Sequence, residues 1–342
     1  MTLIKPVKGL DDAMEESFRS IVAADPLKIL QVIVALESED DPACPAARAF
    51  AAAHPDRDIL VAITGPSGPR MGKIHNMIEA LPRAKHDDVL FSDADTCITA
   101  PLLADTARAF AGGADAVYAL PYHAAAPGLG GLWFMIAFNH CFCLPVALSC
   151  RVGQFHAFAG AWMGYTKTAL ARVGGLEPFA NVIADDYSLG AAARTAGLRQ
   201  VLLRAPARVS ETGASPGESF AHIAKWSTIV FWSVPSAYVA VVLADPVLQA
   251  WAALALALAM RSPLGLPLSA VVAALSSRVL VGLLQDRLVG GLRLPVSRYL
   301  SLLIADVGAL AFVPFALRRT VSWRGKTYRL SRGGRAEVLR NC

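Results

Sequence analysis

Residues 27–36 read LKILQVIVAL, an apolar run that leads directly into the polar sequence Glu37-Ser38-Glu39-Asp40-Asp41. A short run rich in Val, Ile and Leu and followed by polar residues is typical of a buried strand in a parallel sheet. Two further strands are predicted at 59–63 and 88–92. Apolar residues spaced three and four apart predict helices between the strands, at 12–23, 45–53 and 74–81. This alternation predicts an α/β fold with a mostly parallel sheet.

Polar residues follow each predicted strand. They are the acidic run after Leu36, the loop 65–69 with Gly72-Lys73 behind it, and Asp93-Ala94-Asp95. Ligands of open α/β sheets bind beyond the carboxyl ends of the strands, so these residues are the first candidates for a functional site.

The chain is too apolar for an ordinary soluble protein. Of its 342 residues 55% are hydrophobic and 17% are charged, and the mean hydropathy is +0.45. The apolar excess lies after residue 227, where Asp245, Arg278 and Asp306 are the charges within the stretches 227–260, 263–285 and 299–317. Each stretch can supply the roughly 17 to 25 residues of a membrane-spanning helix.

Three parts are therefore expected: a cytoplasmic catalytic domain at 1–226, a membrane region of about three apolar segments at 227–317, and a basic tail at 318–342. An earlier apolar segment, 128–152, is expected to be buried or to lie on the membrane surface rather than to span it. If all three segments crossed the membrane, the tail and the catalytic half would lie on opposite sides of it. The Asp245-Pro246 break would instead allow 227–260 to form a re-entrant hairpin or two short helices.

The formal charge of +5 is concentrated in the tail. Its basic residues, opposed by Glu337 alone, are Arg318, Arg319, Arg324, Lys326, Arg329, Arg332, Arg335 and Arg340. A basic segment beside an apolar one indicates the cytoplasmic face or an anionic leaflet, and it disfavours nucleic acid as a partner.

The six cysteines form no CxxC pair and have no zinc-finger spacing, so a zinc site and a redox motif are not indicated. The chain opens without a secretory signal, which leaves attachment to the later segments.

Two acidic pairs are the main candidates for chemistry. Asp93 and Asp95 form a DxD sequence after a predicted strand, where two carboxylates could hold Mg²⁺ or Mn²⁺ against the diphosphate of a nucleotide sugar; a solvated turn is the alternative. Asp185-Asp186 precedes a helical run, where a carboxylate could act as general base or, alternatively, only cap the helix.

Basic and aromatic residues complete the candidate set. Lys5 and Lys73 could present positive charge to phosphates, or be surface lysines. His222, Lys225 and Trp226 lie just before the first apolar stretch, where a cation could meet the leaving diphosphate and the indole could stack near an acceptor. The indole could equally anchor the chain at the membrane interface.

The order of these motifs resembles membrane-bound inverting glycosyltransferases of the GT-A fold, and in particular the ceramide glucosyltransferase family, glycosyltransferase family 21. The resemblance runs from residue 5 into the tail and rests on KPVKGLD (5–11), DDPA (40–43), GKIHN (72–76), VGGL (173–176), ADDY (184–187) and WRGKTYRL (323–330) with Gly333-Gly334. It implies a nucleotide-diphospho-sugar transferase domain of GT-A type with C-terminal transmembrane helices.

Carried over by position, the resemblance implies that Asp41 lies on the nucleotide side and that Asp93, with Asp95, binds the metal. Asp186 would be the base that deprotonates the primary hydroxyl of a lipid. The expected reaction transfers glucose from UDP-glucose to ceramide with inversion, using Mg²⁺ or Mn²⁺, at the cytoplasmic face of a bacterial inner membrane.

The chain departs from the family pattern at two places. In the family's (Q/R)xxRW sequence it carries His222 and, in place of arginine, Lys225, which keeps the charge but loses the bidentate fork. Family members usually begin with a membrane helix, whereas here the Lys-Pro motif comes first, so either the start is displaced or the C-terminal segments provide the attachment.

The acceptor could also be a hopanoid or diacylglycerol, and the donor another UDP-sugar. A transporter or scaffold is the alternative from another class, and a processive polysaccharide synthase is disfavoured by the few apolar segments.

Overall fold

The structure is a computed structural model, and it describes residues 1–10, 13–123, 128–143, 145–147, 159–210, 215–292, 294–323 and 325–341. The strands are β1 (Thr2–Pro6), β2 (Gln31–Leu36), β3 (Asp58–Ile63), β4 (Asp88–Phe91), β5 (Thr96–Cys97), β6 (Ala116–Tyr118), β7 (Pro121–His123), β8 (Met163–Thr166), β9 (Gln200–Leu202), β10 (Ala207–Val209), β11 (Thr320–Trp323), β12 (Lys326–Leu330) and β13 (Ala336–Asn341). The α-helices are α1 (Met14–Ala24), α2 (Cys44–Ala53), α3 (Gly72–Ala80), α4 (Ala100–Ala111), α5 (Gly128–Met135), α6 (Lys167–Arg172), α7 (Asp185–Thr195), α8 (Pro216–Ser233), α9 (Pro235–Ala244), α10 (Pro246–Ala259), α11 (Gly265–Gln285), α12 (Val296–Tyr299), α13 (Leu302–Ala309) and α14 (Val313–Ala316).

The main sheet has seven strands within the described residues, in the order β3-β2-β1-β4-β8-β6-β9. All of them run parallel except β8, which is antiparallel to both β4 and β6. The chain passes from β1 outward to β2 and β3 and then returns to place β4 on the other side of β1. A sheet of this kind leaves a crevice where the strand order reverses, which is at the carboxyl ends of β1 and β4.

Each face of the sheet is covered by its own hydrophobic cluster. Helices α1, α2 and α4 cover one face, while α3, α6 and α7 cover the other. Strand β2 is buried along its whole length, which agrees with the continuous apolar run from which it was predicted. The three predicted strands and three predicted helices are confirmed, with bounds displaced by one to four residues, and so is the α/β class with C-terminal apolar helices.

A small sheet, β5-β10-β7, extends the crevice towards the apolar half of the chain. Strand β5 follows the Asp93–Asp95 turn directly, and the amide of Ser210 donates to the carbonyl oxygen of Asp95 at 3.2 Å. At the other edge of this sheet, the amide of His123 donates to Oδ1 of Asn139, and Nδ2 of Asn139 donates to the carbonyl oxygen of His123, each at 3.0 Å. The turn is thereby connected to the first apolar helical segment.

Three helical segments among the described residues are long and apolar enough to cross a membrane: Gly128–Ala147, Gly265–Gly290 and Val296–Ala316. The first coincides with segment 128–152, for which a surface position is predicted; residues 144 and 148–152 lie outside the described part of the chain. Helices α8 and α9 are bent by 116° where they meet, so together they form a broken span or a re-entrant pair.

The stretch 227–260 is divided where the Asp245-Pro246 sequence indicates. Helix α9 ends at Ala244 and α10 begins at Pro246. The carboxylate of Asp245 caps α10 by accepting from the amide of Leu248 at 2.9 Å. Proline has no N–H to donate and fits the first turn of a helix, so the break follows from local chemistry.

The basic tail forms an antiparallel sheet, β11-β12-β13, which the sequence analysis does not predict. Val321, Tyr328 and Leu330 are buried in the same cluster as helices α3 and α7. The side chains of Lys326, Tyr328 and Leu330 lie on one face of β12, where Lys326 is half-buried, while Arg329 on the other face is exposed.

Candidate active site

Lys5 supports the turn that carries Asp93 and Asp95. Its side chain is fully buried under the turn, so it is not a surface lysine. The Nζ atom donates to the carbonyl oxygens of Asp93 at 2.5 Å and Thr96 at 3.2 Å, and to the hydroxyl of Ser92 at 3.3 Å. Burial lowers the pKa of Lys5 to about 8, against the opposing influence of the Asp95 and Asp93 carboxylates. Lys5 therefore shapes the turn from beneath.

Lys73 joins the two acidic pairs. It lies in the first turn of α3, and its Nζ is 2.7 Å from the carboxylate of Asp93 and 3.7 Å from that of Asp185. Burial alone would lower the pKa of Lys73, but Asp185, Asp93 and Asp186 together raise it well above its usual value. One permanent cation thus lies among three carboxylates, at the crevice that the sheet topology defines.

Asp186 is held in place by two backbone amides. Oδ2 accepts from Gly160 at 2.8 Å, and Oδ1 accepts from the amide of Tyr187 at 2.7 Å. The helix cap of α7 is Ala184, so Asp185 and Asp186 lie inside its first turn and neither is the capping residue considered above. Burial raises the pKa of Asp186 above its ordinary value, although Lys73 and these amides oppose the shift. Burial also raises the pKa of Asp185 to about 7, although Lys73 opposes it.

Gly160 approaches the carboxylate cluster more closely than any other residue type could. A Cβ atom at this position would lie 2.3 Å from Nζ of Lys73, 3.3 Å from Oδ2 of Asp93 and 3.4 Å from Oδ2 of Asp186. These distances show that the ammonium and both carboxylates surround a single point. The sequence analysis missed Gly160, because no local pattern marks a glycine whose neighbours come from three distant elements.

Asp41 lies with other polar groups on the far side of β1. Its two carboxylate oxygens accept from the amide of Gly9 at 3.0 and 3.2 Å, and Oδ1 also accepts from the amide of Ala43 at 2.9 Å. Nearby, Glu37 pairs with Lys8 at 3.1 Å. Partial burial would raise the pKa of Glu37, but hydrogen bonds from the amide and hydroxyl of Ser67 and from Lys8 hold it below its ordinary value. The structure thus places Asp41 in the polar loop that follows β2, bonded to the backbone of the loop after β1.

His222 and Trp226 lie one turn apart on α8 and enter an aromatic cluster. Their ring centroids are 6.3 Å apart, His222 is 4.7 Å from Phe134, and Trp226 is 5.8 Å from Phe138 in the first apolar helical segment. The indole Nε1 of Trp226 is buried without a hydrogen-bond partner in the described part of the chain. Lys225 lies elsewhere, with Nζ 5.0 Å from the ring centroid of Trp323 in β11. The three residues are thus divided between two environments.

The carboxylates suit a hard divalent cation by their chemistry. In the described residues no group of three or more His, Cys, Asp or Glu side chains is arranged to hold a metal alone. Asp93 and Asp95 could supply two oxygen ligands, leaving positions for phosphate oxygens and water. The three carboxylates around Lys73 carry more negative charge than one lysine offsets, and this excess also favours a cation.

A switch-point crevice that combines carboxylates, a lysine and a polar loop after β2 is typical of enzymes that bind nucleotides at the ends of parallel strands. The model of glycosyl transferase family 21 matches residues 1–336, and the chain belongs to this family. The resemblance to this family that was found in the sequence is therefore confirmed.

One curated relative is the ceramide glucosyltransferase 1 of Caenorhabditis elegans, which is 23% identical over 231 residues. The match includes 66% of this chain and 48% of the relative, so the chain spans about half the length of the relative that it matches.

Three solved structures show similarity at low sequence identity. A mannosyltransferase from Pyrobaculum calidifontis, solved with GDP-Man and Mn²⁺, is 20% identical, with 93% of this chain and 87% of that chain covered and a TM-score of 0.47. TarS residues 1–349 of S. aureus are 15% identical, with 99% and 98% covered and a TM-score of 0.41. Glucosyl-3-phosphoglycerate synthase of Mycobacterium tuberculosis, solved with Mn²⁺ and UDP, is 15% identical, with 65% and 77% covered and a TM-score of 0.39.

Proposed function

We propose that the protein transfers glucose from UDP-glucose to the primary hydroxyl of ceramide and inverts the anomeric centre. The observation that carries the proposal is the position of Asp186. Two amides orient its carboxylate, and Lys73 and Asp93 adjoin it. A sugar donor bound at the crevice and a lipid entering from a membrane could meet at this carboxylate.

Asp186 acts as the general base in this proposal. Its carboxylate takes the proton of the lipid hydroxyl while the hydroxyl oxygen forms a bond to the anomeric carbon. The bond from that carbon to the diphosphate oxygen breaks at the same time, and UDP leaves. An α-linked donor gives a β-glucoside. Burial raises the pKa of Asp186 above its ordinary value, which makes the carboxylate a stronger base than an exposed aspartate.

The donor is held by charges on both sides of β1. Asp93 and Asp95 would bind Mg²⁺ or Mn²⁺, which when bound offsets the diphosphate charge and stabilises the leaving group. Lys73 offers a further positive charge to the phosphates. Asp41 serves the nucleotide side, and Lys5, which is fully buried, contributes to donor binding by positioning the turn of Asp93.

The lipid acceptor approaches from the apolar half. His222 and Trp226 border the aromatic cluster, and the unpartnered Nε1 of Trp226 would donate a hydrogen bond to the acceptor. Lys225, whose ammonium lies over Trp323, would reach the leaving diphosphate only after leaving that ring. Hopanoid and diacylglycerol remain the alternative acceptors, because the aromatic cluster offers the same apolar surface to any of them.

The strand pairing supports a proposal for the membrane arrangement. Strand β6 precedes and its sheet neighbour β8 follows segment Gly128–Ala147, so the chain must return to the same side after it. The tail sheet packs on the same core, which likewise requires an even number of crossings between β10 and β11. Crossings by Gly265–Gly290 and Val296–Ala316 would satisfy this requirement and keep the catalytic domain and the tail on the same side. We propose that this is the cytoplasmic side of a bacterial inner membrane, because the tail is basic.

A radiolabel transfer assay on membranes that contain the protein tests the proposal. UDP-glucose, UDP-N-acetylglucosamine and UDP-glucuronate would each be offered with ceramide, hopanoid and diacylglycerol. Label from UDP-glucose in ceramide supports the proposal, and label only in another lipid refutes the ceramide assignment. Asp186→Asn should abolish transfer while UDP binding survives, and turnover in this variant would exclude Asp186 as the base.

A further inference from the structure

The C-terminal sheet, Thr320–Asn341, contacts two segments next to the active site, although none of its residues has a part in the reaction proposed above. One of its contacts is with the loop after β3. Nζ of Lys326 donates to the hydroxyl of Ser67 at 2.9 Å and to the carbonyl oxygen of Gly68 at 3.3 Å. The amide and hydroxyl of Ser67 in turn donate to Glu37 at 3.1 and 2.8 Å. Lys326 therefore connects the tail to the carboxyl ends of β2 and β3, on the side of Asp41.

A second contact is with the segment that leads into the catalytic helix α7. The amide of Ile183 donates to the carbonyl oxygen of Gly334, and the amide of Ala336 donates to the carbonyl oxygen of Asn181, both at 2.8 Å. Val182 and Arg335 form the β-bridge between these two bonds. Asp186 follows Ile183 by three residues, so the sheet is bonded to the segment that leads directly into the first turn of α7.

Gly334 also packs against the end of helix α8. Its φ is +68°, and a Cβ at this position would lie 2.6 Å from the hydroxyl of Ser233. The neighbouring Gly333 has a φ of +77°, and a Cβ there would meet nothing within 4 Å. Both glycines therefore have a positive φ, but only Gly334 contacts Ser233. Gly333 can thus serve as the control for substitutions of Gly334.

We propose that the C-terminal sheet positions the two halves of the active site relative to each other, with Lys326 as a positioning residue for the donor side and Gly334 for the base Asp186. The sheet does so because it is bonded to both halves and is anchored in the core by Tyr328 and Leu330. The inference rests on the transferase activity proposed above. It assigns the tail to the catalytic unit rather than to the membrane surface.

Lys326→Met tests the donor half. Loss of this half-buried charged hydrogen bond should raise the donor KM and the Kd for UDP with Mn²⁺ by roughly three- to tenfold, with kcat within about twofold. Lys326→Arg should restore most of the binding, since it keeps a donor of the same charge. Arg329→Met, on the exposed face of the same strand, is the matched control. An unchanged KM in Lys326→Met, or an equal effect of Arg329→Met, would overturn the donor half.

Gly334→Ala tests the base half. The added methyl should displace the Gly334 carbonyl from Ile183 and reduce kcat by roughly tenfold, while the Kd for UDP stays that of the wild type. Gly333→Ala controls for backbone strain alone, and Ser233→Ala combined with Gly334→Ala should recover part of kcat by removing the contact. Equal kcat losses for the two glycine variants, or no loss for Gly334→Ala, would refute the assignment.

The UDP measurement separates this inference from the proposed function. Wild-type protein that binds UDP but labels no lipid would refute the proposed acceptor, while the effect of Lys326→Met on the Kd would still decide the donor half. Wild-type protein that binds no UDP would overturn both.

Discussion

Substitution of Gly160 by alanine should disturb the carboxylate cluster without changing any charged residue. The new Cβ would lie 2.3 Å from Nζ of Lys73, whereas ordinary contact begins at 3.4 Å. The ammonium must therefore move by about 1.1 Å. The backbone of Gly160 does not lie in the left-handed region, so alanine adds no strain of its own, and its amide can still donate to Asp186.

The expected magnitude follows from the Lys73–Asp93 pair. A displacement of this size directly away from Asp93 would lengthen the 2.7 Å separation beyond hydrogen-bond distance. At an effective dielectric constant of about 20, the lost attraction is close to 2 kcal/mol. Asp93 is 36% exposed, so solvent screening reduces this to about 1 to 2 kcal/mol. We expect kcat/KM for transfer to fall by roughly 5- to 30-fold.

The assay is steady-state transfer of labelled sugar, with thermal unfolding measured in parallel. Gly217→Ala is the control, because a Cβ there meets only Oγ of Ser215, at 4.0 Å. A double-mutant cycle with Lys73→Ala identifies the cause: the cost of Gly160→Ala should disappear once the ammonium is absent. A wild-type kcat/KM in Gly160→Ala, or an undiminished cost in the Lys73→Ala background, would refute this reasoning.

Three further predictions concern the metal, the pH dependence and the apolar helices. Asp93→Ala should abolish transfer and remove the dependence of UDP binding on Mn²⁺; unchanged binding in titrations with and without Mn²⁺ would contradict the metal assignment. Because hydrogen bonds hold the pKa of Glu37 low, its contribution to stability is present above the unfolded-state pKa of about 4.3 and is lost as the pH falls below it. Glu37→Gln should thus lower the unfolding temperature at neutral pH, and this difference from the wild type should narrow as the pH falls below about 4. A difference that does not change with pH, as expected for the exposed Glu39→Gln, would contradict the prediction. Asp306→Ala should remove both hydrogen bonds that Arg278 makes to this buried carboxylate and destabilise the fold by about 3 to 5 kcal/mol, and Arg278→Met with Asp306→Leu should recover most of the loss in detergent melts.

The confirmed predictions are those that depend on local pattern. The run 27–36 predicted β2, and the Asp245-Pro246 sequence indicated the helix break at Ala244, because apolar periodicity and proline act over a few residues. The strands of the tail were not predicted because each has only four to six residues, which is too short for a clear alternation of apolar and polar residues. Their partner is the catalytic core, far away in sequence.

The sequence by itself determined the α/β class, the apolar C-terminal half and the identity of the acidic pairs, because composition and short-range spacing are written in consecutive residues. Only the tertiary structure decided which of these residues meet. It buried Lys5 beneath the Asp93 turn, placed Lys73 among three carboxylates and divided Lys225 from Trp226. The physical reason is that these contacts join elements whose order in the sheet differs from their order in the chain, and that order is settled by packing over the whole domain.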